Sequence, residues 1–265
     1  MRSILSDEGR AALEAIARER ALVILDFDGT LAPIVPRPPD AAMNAETRSL
    51  LRVAALLYPC AVVSGRPRAD LAQRVEGVPL VAIVGNHGAE AGFGPVDRAI
   101  GRVVEGWART LSRELSGAAG IEIEEKGLSI GIHYRRAADR SAARRRALAA
   151  ATRLAGARVF GGRLVVNVVP ARAPDKGAAV AEILRRIGAR RALYVGDDVT
   201  DEDAFSAEGV AVSVRVGRTH ASSAAWYVPA QRDVDALLRA LVAARRRLDG
   251  AGGECTDALL RAAAR

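Results

Sequence analysis

Short apolar runs alternate with longer amphipathic segments through most of this chain. The runs are rich in Val, Ile and Leu, which is typical of buried strands. They predict strands at 22–26, 60–64, 81–85, 192–196 and 210–214. The amphipathic segments predict helices near 7–20, 42–57, 67–76, 175–188, 201–207 and 232–248. Strands that alternate with helices in this way predict a doubly wound, Rossmann-like α/β core with a mainly parallel sheet.

The pattern changes between Gly88 and Pro170. This region predicts, in order, a helix near 96–117, strands around 121–125 and 128–134, a helix near 138–155, and strands near 157–160 and 163–169. Two copies of a helix followed by a hairpin indicate a smaller α+β domain inserted into the first. Gly127 and Gly161-Gly162 are predicted to form the two hairpin turns, because glycine accepts the positive φ of tight connections.

The chain is therefore predicted to divide into a core of residues 1–91 and 173–249, an inserted domain of residues 92–172 and a C-terminal tail of residues 250–265. A chain of 265 residues with 50% apolar residues can bury a core in each domain. Cys60 and Cys255 lie in dissimilar contexts, so we interpret both as free thiols.

Targeting signals and charge narrow the class of protein. No stretch approaches the roughly 20 apolar residues that span a bilayer, and the N-terminus lacks the apolar centre of a signal peptide. We therefore expect a cytoplasmic monomer that binds no membrane. The net charge of +8 suits an anionic small molecule or a nucleic acid. The basic runs 144–146 and 245–247 lie among alanines, as on solvated helix faces, and only 4% of residues are aromatic. Nucleic acid is therefore not an expected partner.

The most informative pattern lies at residues 22–30, where an apolar strand ends in Asp26, a spacer, Asp28, Gly29 and Thr30. In an open α/β sheet, ligands bind outside the carboxyl ends of the strands. Two carboxylates this close repel each other unless a proton or a cation separates them. Mg²⁺ prefers a few carboxylate oxygens together with water and phosphate. The pair therefore predicts magnesium-dependent phosphoryl chemistry.

Three further motifs follow in order along the chain. Ser64-Gly65-Arg66 ends a second apolar run, Lys176-Gly177 opens a helix, and residues 193–203 combine a strand with an acidic loop. Together with residues 22–30, they resemble the motifs of the haloacid-dehalogenase-like (HAD) phosphatases. The resemblance implies that the long interval between the second and third motifs holds a cap domain over the site.

The same resemblance implies that Asp26 is the nucleophile, that Asp28 is the general acid and base, and that the Asp28 carbonyl joins the metal ligands. Chemically, Asp26 can attack phosphorus to form an aspartyl-phosphate, and Asp28 can exchange protons with the leaving group and water. Lys176 can neutralise charge on the phosphoryl oxygens. Ser64 is assigned to the catalytic set, since its hydroxyl can donate to a phosphate oxygen. The groups assigned to phosphate or substrate binding in the two turns are Gly29, Thr30, Gly65 and Arg66.

The acidic loop at residues 196–203 carries five carboxylates after a buried strand, which is costly without a cation. We predict Asp197 as a further Mg²⁺ ligand and place Asp201 in the outer shell of the ion. Thr200 and Asp203 resemble a capping box for the following helix.

Further matches resemble the trehalose-6-phosphate phosphatases and lie at residues 26–34, 85–88, 124–127, 133–135 and 196–202. This resemblance implies that the inserted domain places Glu124, Lys126 and Arg135 on the sugar. It also implies that Asn86 and His87 line the same cleft. A surface ion pair is the alternative interpretation of Glu124 and Lys126. We interpret His133 as a packed, non-catalytic histidine.

One segment departs from that family. Where its members show a Glu-x-Arg-Pro-like segment, this chain has Asn167-Val168-Val169-Pro170. Asn167 can still bond to a hydroxyl, but without the strength of a charged acceptor. The predicted reaction is Mg²⁺-dependent hydrolysis of trehalose 6-phosphate. The alternatives are another sugar phosphate, such as sucrose phosphate or a mannosyl- or glucosyl-phosphoglycerate, and a non-catalytic protein that binds nucleic acid or regulates a partner.

Overall fold

A computed structural model describes residues 1–90, 98–162 and 164–250. Its strands are Arg2–Ser3 (β1), Leu22–Leu25 (β2), Cys60–Val63 (β3), Ala82–Val84 (β4), Glu122–Glu125 (β5), Ile130–His133 (β6), Ala157–Gly162 (β7), Val165–Pro170 (β8), Ala192–Gly196 (β9), Val210–Val216 (β10) and Trp226–Val228 (β11). Its α-helices are Asp7–Glu19 (α1), Ala45–Leu57 (α2), Arg68–Arg74 (α3), Arg98–Glu114 (α4), Arg140–Ala151 (α5), Lys176–Ile187 (α6), Glu202–Phe205 (α7) and Val234–Gly250 (α8). Within these ranges, no helix has both the length and the apolar character needed to cross a bilayer.

Seven strands form a parallel sheet in the order β1-β11-β10-β9-β2-β3-β4. Successive side chains of the interior strand β2 point to opposite faces of this sheet. Leu22 and Ile24 belong to the apolar cluster that includes α6, whereas Val23 and Leu25 pack with α1, α2 and α8. Because helices cover both faces, the strand is apolar throughout.

A second, antiparallel sheet follows in the chain after Gly88, with the strand order β5-β6-β8-β7. Helices α4 and α5 cover one of its faces, where Ile130, Ile132, Val166 and Val168 are buried. The alternate residues of the same strands lie on the opposite face. We call residues 98–162 and 164–170 the small-sheet unit.

The predicted class, a doubly wound parallel α/β core with a smaller α+β part, is confirmed. The edge strand β1 and its neighbour β11 were not predicted, because two and three residues are too few to show a pattern. Cys60 is buried and free, as predicted. The limit at residues 91–92 and Cys255 lie outside the described residues, as does the tail predicted at 250–265 except for Gly250, which ends α8. The predicted domain limits therefore stay a prediction.

One of the two hairpin turns differs from its prediction. Gly127 has a φ of 79° and lies in the β5–β6 turn, as expected. Gly161 and Gly162 instead lie within β7, and a positive φ of 62° falls on Leu164. Gly162 serves close approach rather than turning, since a Cβ there would lie 3.2 Å from Asp198 Oδ2.

One long-range polar contact ties α2 to α8. Thr47 Oγ1 donates to Asp235 Oδ1 at 2.7 Å, and both side chains are buried. Thr47→Val keeps the shape of the side chain but removes this donor from a buried carboxylate. We expect the free energy of unfolding, measured with urea at neutral pH, to fall by about 1–3 kcal/mol.

The control is a double-variant cycle with Asp235→Asn. Once the carboxylate is replaced by an amide, less charge is left unpaired, so the double variant should lose less stability than the two single losses added together. Purely additive losses would contradict an energetic role for the contact.

Candidate active site

Lys176 lies buried at the start of α6, between two carboxylates. Its Nζ donates to Asp26 Oδ1 at 2.8 Å and to Asp201 Oδ1 at 2.7 Å. Asp175 caps the helix by accepting from the Ala178 N–H, which fixes where Lys176 begins it. Burial would lower the pKa of Lys176, but the charges of Asp201 and Asp26 raise it well above its usual value. Lys176 is therefore a permanent positive charge against Asp26.

Asp201 is fully buried and is held from several directions. Tyr194 Oη, from β9, donates to Asp201 Oδ1 at 2.7 Å, and the backbone N–H of Asp198 donates to Oδ2 at 2.9 Å. Arg215 of β10 donates to the Asp198 carbonyl at 3.2 Å. These bonds fix the acidic loop over the end of the sheet.

The capping box of this loop differs from the prediction. Asp198 caps the turn with its side chain, and Asp201 returns a bond to the Asp198 N–H. The predicted pair, Thr200 and Asp203, does not form the box, because the turn already starts after the extended Asp198.

Asp26, Asp197 and Asp201 form a carboxylate cluster in which one oxygen of each lies within 4.8 Å of the others. Burial raises the pKa of Asp26 and of Asp197, and the neighbouring carboxylates raise both further. The charge of Lys176 acts in the opposite direction but does not cancel these effects. Among the described residues, the buried Oδ1 of Asp197 has no hydrogen-bond partner. A divalent cation that prefers oxygen fits this cluster, since it offsets the like charges and gives that oxygen a partner.

Two glycines make room for the cluster. Gly29 has a φ of 81°, and a Cβ there would lie 2.1 Å from Asp197 Oδ2. A Cβ at Gly196 would lie 2.2 Å from Asp201 Cγ. Any side chain at either position would collide with a carboxylate, so the site itself requires both glycines.

Asp28 is paired with Arg66. Arg66 Nε and Nη2 donate to the two oxygens of Asp28, each at 2.7 Å. The same guanidinium donates to Asp70 at 2.9 Å and to the Pro38 carbonyl at 2.8 Å. Most of the five N–H groups of a guanidinium are thus bound to protein groups. Arg66, predicted to bind substrate, holds Asp28 in this arrangement.

A cavity of about 370 Å³ opens between this edge of the parallel sheet and the small-sheet unit. The predicted site residues that line it are Asp26, Asp28, Ser64, Gly65, Arg66, His87, Glu124, Lys126, Arg135, Asn167, Lys176 and Asp197. Residues from all four core motifs therefore meet residues of the inserted segment around one space.

Ser64 and His87 line the cavity from the loops after β3 and β4. Ser64 Oγ accepts from the Arg66 N–H at 3.3 Å. His87 is only 7% exposed, and among the described residues neither of its ring nitrogens has a hydrogen-bond partner. Burial and the positive charges of Lys126 and Lys176 lower the pKa of His87, so its neutral ring offers one donor and one acceptor to the cavity.

Four predicted site residues are not on the cavity wall. Asp201 is the fully buried member of the carboxylate cluster, and Gly29 is buried against Asp197. Thr30 is also fully buried, with a hydroxyl oxygen that has no partner among the described residues. Asn86 is also buried, and both ends of its amide engage the β5–β6 turn.

The small sheet presents a row of residues to the cavity. Glu124 of β5, Gly131 of β6 and Asn167 of β8 are direct neighbours across the strands. A Cβ at Gly131 would lie 3.1 Å from His133 Nε2 and 3.4 Å from Glu124 Oε2. Glycine therefore leaves the centre of this face open, with a carboxylate on one side and an amide on the other.

Glu124, Lys126 and His133 form a polar cluster on this face. Glu124 Oε2 lies 2.8 Å from His133 Nε2 and 3.5 Å from Lys126 Nζ. Partial burial would raise the pKa of Glu124, but the hydrogen bond with His133 and the charge of Lys126 lower it to about 2. The ion pair lies on the cavity wall, not on the outer surface. Arg135 lines the same wall and donates to the Val35 carbonyl.

The sequence interpretation missed several residues of the wall. His133 lines the cavity because it lies on the same face of β6 as Gly131, two residues along the strand, and this spacing was a usable signal. Val35 arrives from the loop after β2 and Asp70 from α3. Their approach depends on how loops cross the sheet edge, which no local pattern encodes.

Known proteins similar to this chain were found at the level of sequence and of structure. Residues 24–231 match the model of a family described as trehalose-phosphatase. A trehalose-phosphate phosphatase of Mycobacterium avium is 40% identical over 231 residues, covering 76% of this chain and 56% of the relative. A Mycobacterium tuberculosis protein called an uncharacterized glycosyl hydrolase is 39% identical over 216 residues, covering 74% of this chain and 16% of that protein. This chain thus spans little more than half of the first relative and about a sixth of the second.

Two solved structures share the fold. The C-terminal domain of C. albicans trehalose-6-phosphate phosphatase has a TM-score of 0.69 at 21% identity, covering 88% of this chain and 96% of that domain. A trehalose-6-phosphate phosphatase related protein has a TM-score of 0.68 at 25% identity, covering 84% and 97% of the two chains. Since the family match extends over the small sheet, most of the parallel sheet and the residues of all four core motifs, this chain belongs to the trehalose-phosphatase family.

Proposed function

We propose that this protein hydrolyses trehalose 6-phosphate to trehalose and phosphate, in a Mg²⁺-dependent reaction that passes through an aspartyl-phosphate on Asp26. The observation that carries the proposal is the buried Lys176–Asp26 pair on one wall of a cavity whose other wall carries Glu124 and Asn167. Phosphoryl chemistry and sugar recognition thus have separate walls of one space. Membership of the trehalose-phosphatase family supports the same reaction.

Asp26 supplies the nucleophile. Lys176 engages its Oδ1, so the other carboxylate oxygen attacks phosphorus in line, and the bond from phosphorus to the sugar oxygen breaks. Asp28 gives its proton to that sugar oxygen, which leaves as a hydroxyl. Lys176 stays charged throughout and offsets the negative charge that Asp26 and the phosphoryl group share.

Water then hydrolyses the aspartyl-phosphate. Asp28, now a carboxylate, takes a proton from the water as the water oxygen bonds to phosphorus, and the phosphorus–oxygen bond to Asp26 breaks. Phosphate leaves, and Asp28 is again protonated. In the structure Arg66 donates to both oxygens of Asp28, so at least one of these hydrogen bonds must open and Asp28 must take up a proton from solvent before the first step.

The residues that would hold Mg²⁺ are Asp26, Asp197 and the backbone carbonyl of Asp28, with Asp201 behind them. Asp197 Oδ1, which has no hydrogen-bond partner in the part of the chain that the structure describes, supports this assignment. Asp201 is engaged by Lys176 and Tyr194, which suits an outer position. When bound, the ion supplies positive charge to the phosphoryl oxygens.

The inserted segment at residues 92–172 acts as a cap that closes over the phosphate site and selects the sugar. Its contribution to the cavity wall is polar, with Glu124, Lys126 and Asn167 among the groups that can bond to hydroxyls. A closed cap excludes water from the reacting phosphate. Contacts made far from phosphorus can then contribute to turnover as well as to binding.

Another sugar phosphate is the second candidate substrate. Asn167 and Val169 are uncharged, although the family resemblance leads us to expect charged residues at these positions. An amide holds hydroxyls through weaker bonds than a carboxylate does. The chemistry at Asp26 is the same for either substrate.

Phosphate release from trehalose 6-phosphate, glucose 6-phosphate and sucrose 6-phosphate, each with Mg²⁺ and with EDTA, tests the proposal. We expect trehalose 6-phosphate to be hydrolysed fastest and EDTA to abolish the activity. Asp26→Asn should reduce turnover on the order of 10⁴-fold or more, because the amide cannot act as the nucleophile.

EDTA-sensitive activity that prefers another sugar phosphate would replace the proposed substrate with the second candidate. Absence of activity on all three would favour a non-catalytic binding protein, which a salt titration of DNA or RNA binding can then examine.

Lys126→Ala tests the role of the small sheet. Removing the Lys126 cation from the small-sheet side of the cavity should lower kcat/KM for trehalose 6-phosphate about tenfold. Hydrolysis of p-nitrophenyl phosphate, which has no sugar, should change much less. Arg102→Ala, on the exposed side of α4, removes a charge from the same unit and is the matched control. Equal losses on both substrates would indicate that Lys126 instead supports the fold or the overall positive potential of the cavity.

A further inference from the structure

Residues 85–88, here called the junction turn, connect the end of β4 to the chain that leads into the small-sheet unit. Three consecutive residues have positive φ, with values of 47° at Asn86, 58° at His87 and 115° at Gly88. This conformation is unfavourable for residues that carry a Cβ, although asparagine tolerates it better than most. Two such residues in succession indicate that contacts on both sides hold the turn.

On one side, backbone hydrogen bonds attach the junction turn to the loop after β3. The Asn86 N–H donates to the Arg66 carbonyl at 2.7 Å, and the His87 N–H donates to the Ser64 carbonyl at 3.0 Å. The turn is thus fixed to two residues of the cavity wall.

The same turn lies against the start of α6. A Cβ at Gly88 would lie 2.2 Å from the carbonyl oxygen of Asp175, so only glycine allows this approach. Asp175 is the residue that caps the helix of Lys176. The junction turn therefore has a position fixed by the phosphate site.

On the other side, the Asn86 side chain reaches the β5–β6 turn of the small sheet. Its Nδ2 donates to the Lys126 carbonyl at 2.9 Å, and Ser129 Oγ donates to its Oδ1 at 2.6 Å. Asn86 and Ser129 are each 1% exposed. The Lys126 N–H donates in turn to the Ser129 carbonyl at 2.9 Å, so one amide spans both ends of this turn.

We propose that Asn86 is a positioning residue: its amide clasps the β5–β6 turn and thereby fixes Lys126 and Glu124 over the phosphate site. Lys126 is held by its backbone, while its Nζ reaches the cavity 3.5 Å from Glu124 Oε2. The buried amide is directed to the hairpin and is absent from the cavity wall, so it does not bind the substrate. The inference rests on the proposed function, because it concerns recognition of the sugar part of the substrate.

The variant Asn86→Gly tests the side-chain amide of Asn86 separately from the backbone conformation of that residue. Glycine adopts a φ of 47° without strain but has no side-chain amide. If Asn86 were needed only for its backbone conformation, glycine would replace it without loss of activity. Arg20→Gly is the matched control, since Arg20 has the same φ of 47° at the end of α1.

Steady-state kinetics compare the preferred sugar phosphate with p-nitrophenyl phosphate. In Asn86→Gly, we expect kcat/KM for the sugar phosphate to fall about five- to tenfold, as for the loss of one or two buried hydrogen bonds. The value for p-nitrophenyl phosphate should change less than about twofold, and Arg20→Gly should change neither. Ser129→Ala should repeat the pattern, and combining it with Asn86→Gly should add little, because both remove one contact. Equal losses on both substrates, or no loss on either, would overturn the clasp.

Hydrogen exchange separates failure of this inference from failure of the proposed function, because it needs no substrate. Amides in the peptide spanning 122–133 should exchange faster in Asn86→Gly than in the unaltered protein and in Arg20→Gly. Unchanged exchange would overturn the clasp whatever the protein hydrolyses. Faster exchange in a protein that does not hydrolyse trehalose 6-phosphate would support the clasp and reject the proposed substrate.

Discussion

Like charges concentrated at the carboxyl edge of the parallel sheet constrain the rest of this structure. Asp26, Asp197 and Asp201 meet there within 4.8 Å, and Lys176 is the buried cation that contacts two of them. Burial raises the pKa of Asp26 and of Asp197, and the neighbouring carboxylates raise both further because one positive charge does not balance three carboxylates. Gly29 and Gly196 make room for this unfavourable arrangement. Hydrogen bonds from Tyr194 of β9 and Arg215 of β10 hold it in place. A divalent cation bound there would relieve it, so binding of such an ion would also stabilise the fold.

The core of the site was predictable because its chemistry lies where apolar strands end. Asp26, Ser64 and Asp197 each follow such a strand, and the edge at which parallel strands end together is fixed by topology. The partners of these residues were not predictable in the same way. Arg66 and Asp28 are 38 positions apart, and their pairing depends on the path of the loop after β2.

The small sheet illustrates a second limit of the sequence. Period-two alternation assigns Glu124, His133 and Asn167 to one face, but it does not say what that face looks onto. That depends on how the sheet lies against the core, which involves contacts between distant segments. Asn86 is the clearest example, since a family resemblance implied that it lines the cleft, whereas its amide is directed into a hairpin 40 positions away.

The contact between Gly88 and Asp175 has an evolutionary consequence. The chain departs from the core after Gly88 and is back at Asp175, and these two residues touch. An insertion whose two ends meet leaves the host fold almost unchanged, since the host needs to close no gap. Under the proposed function, recognition and catalysis would then be modular in this architecture: another insert with adjacent ends could replace this one, and the same reaction centre would act on a different substrate.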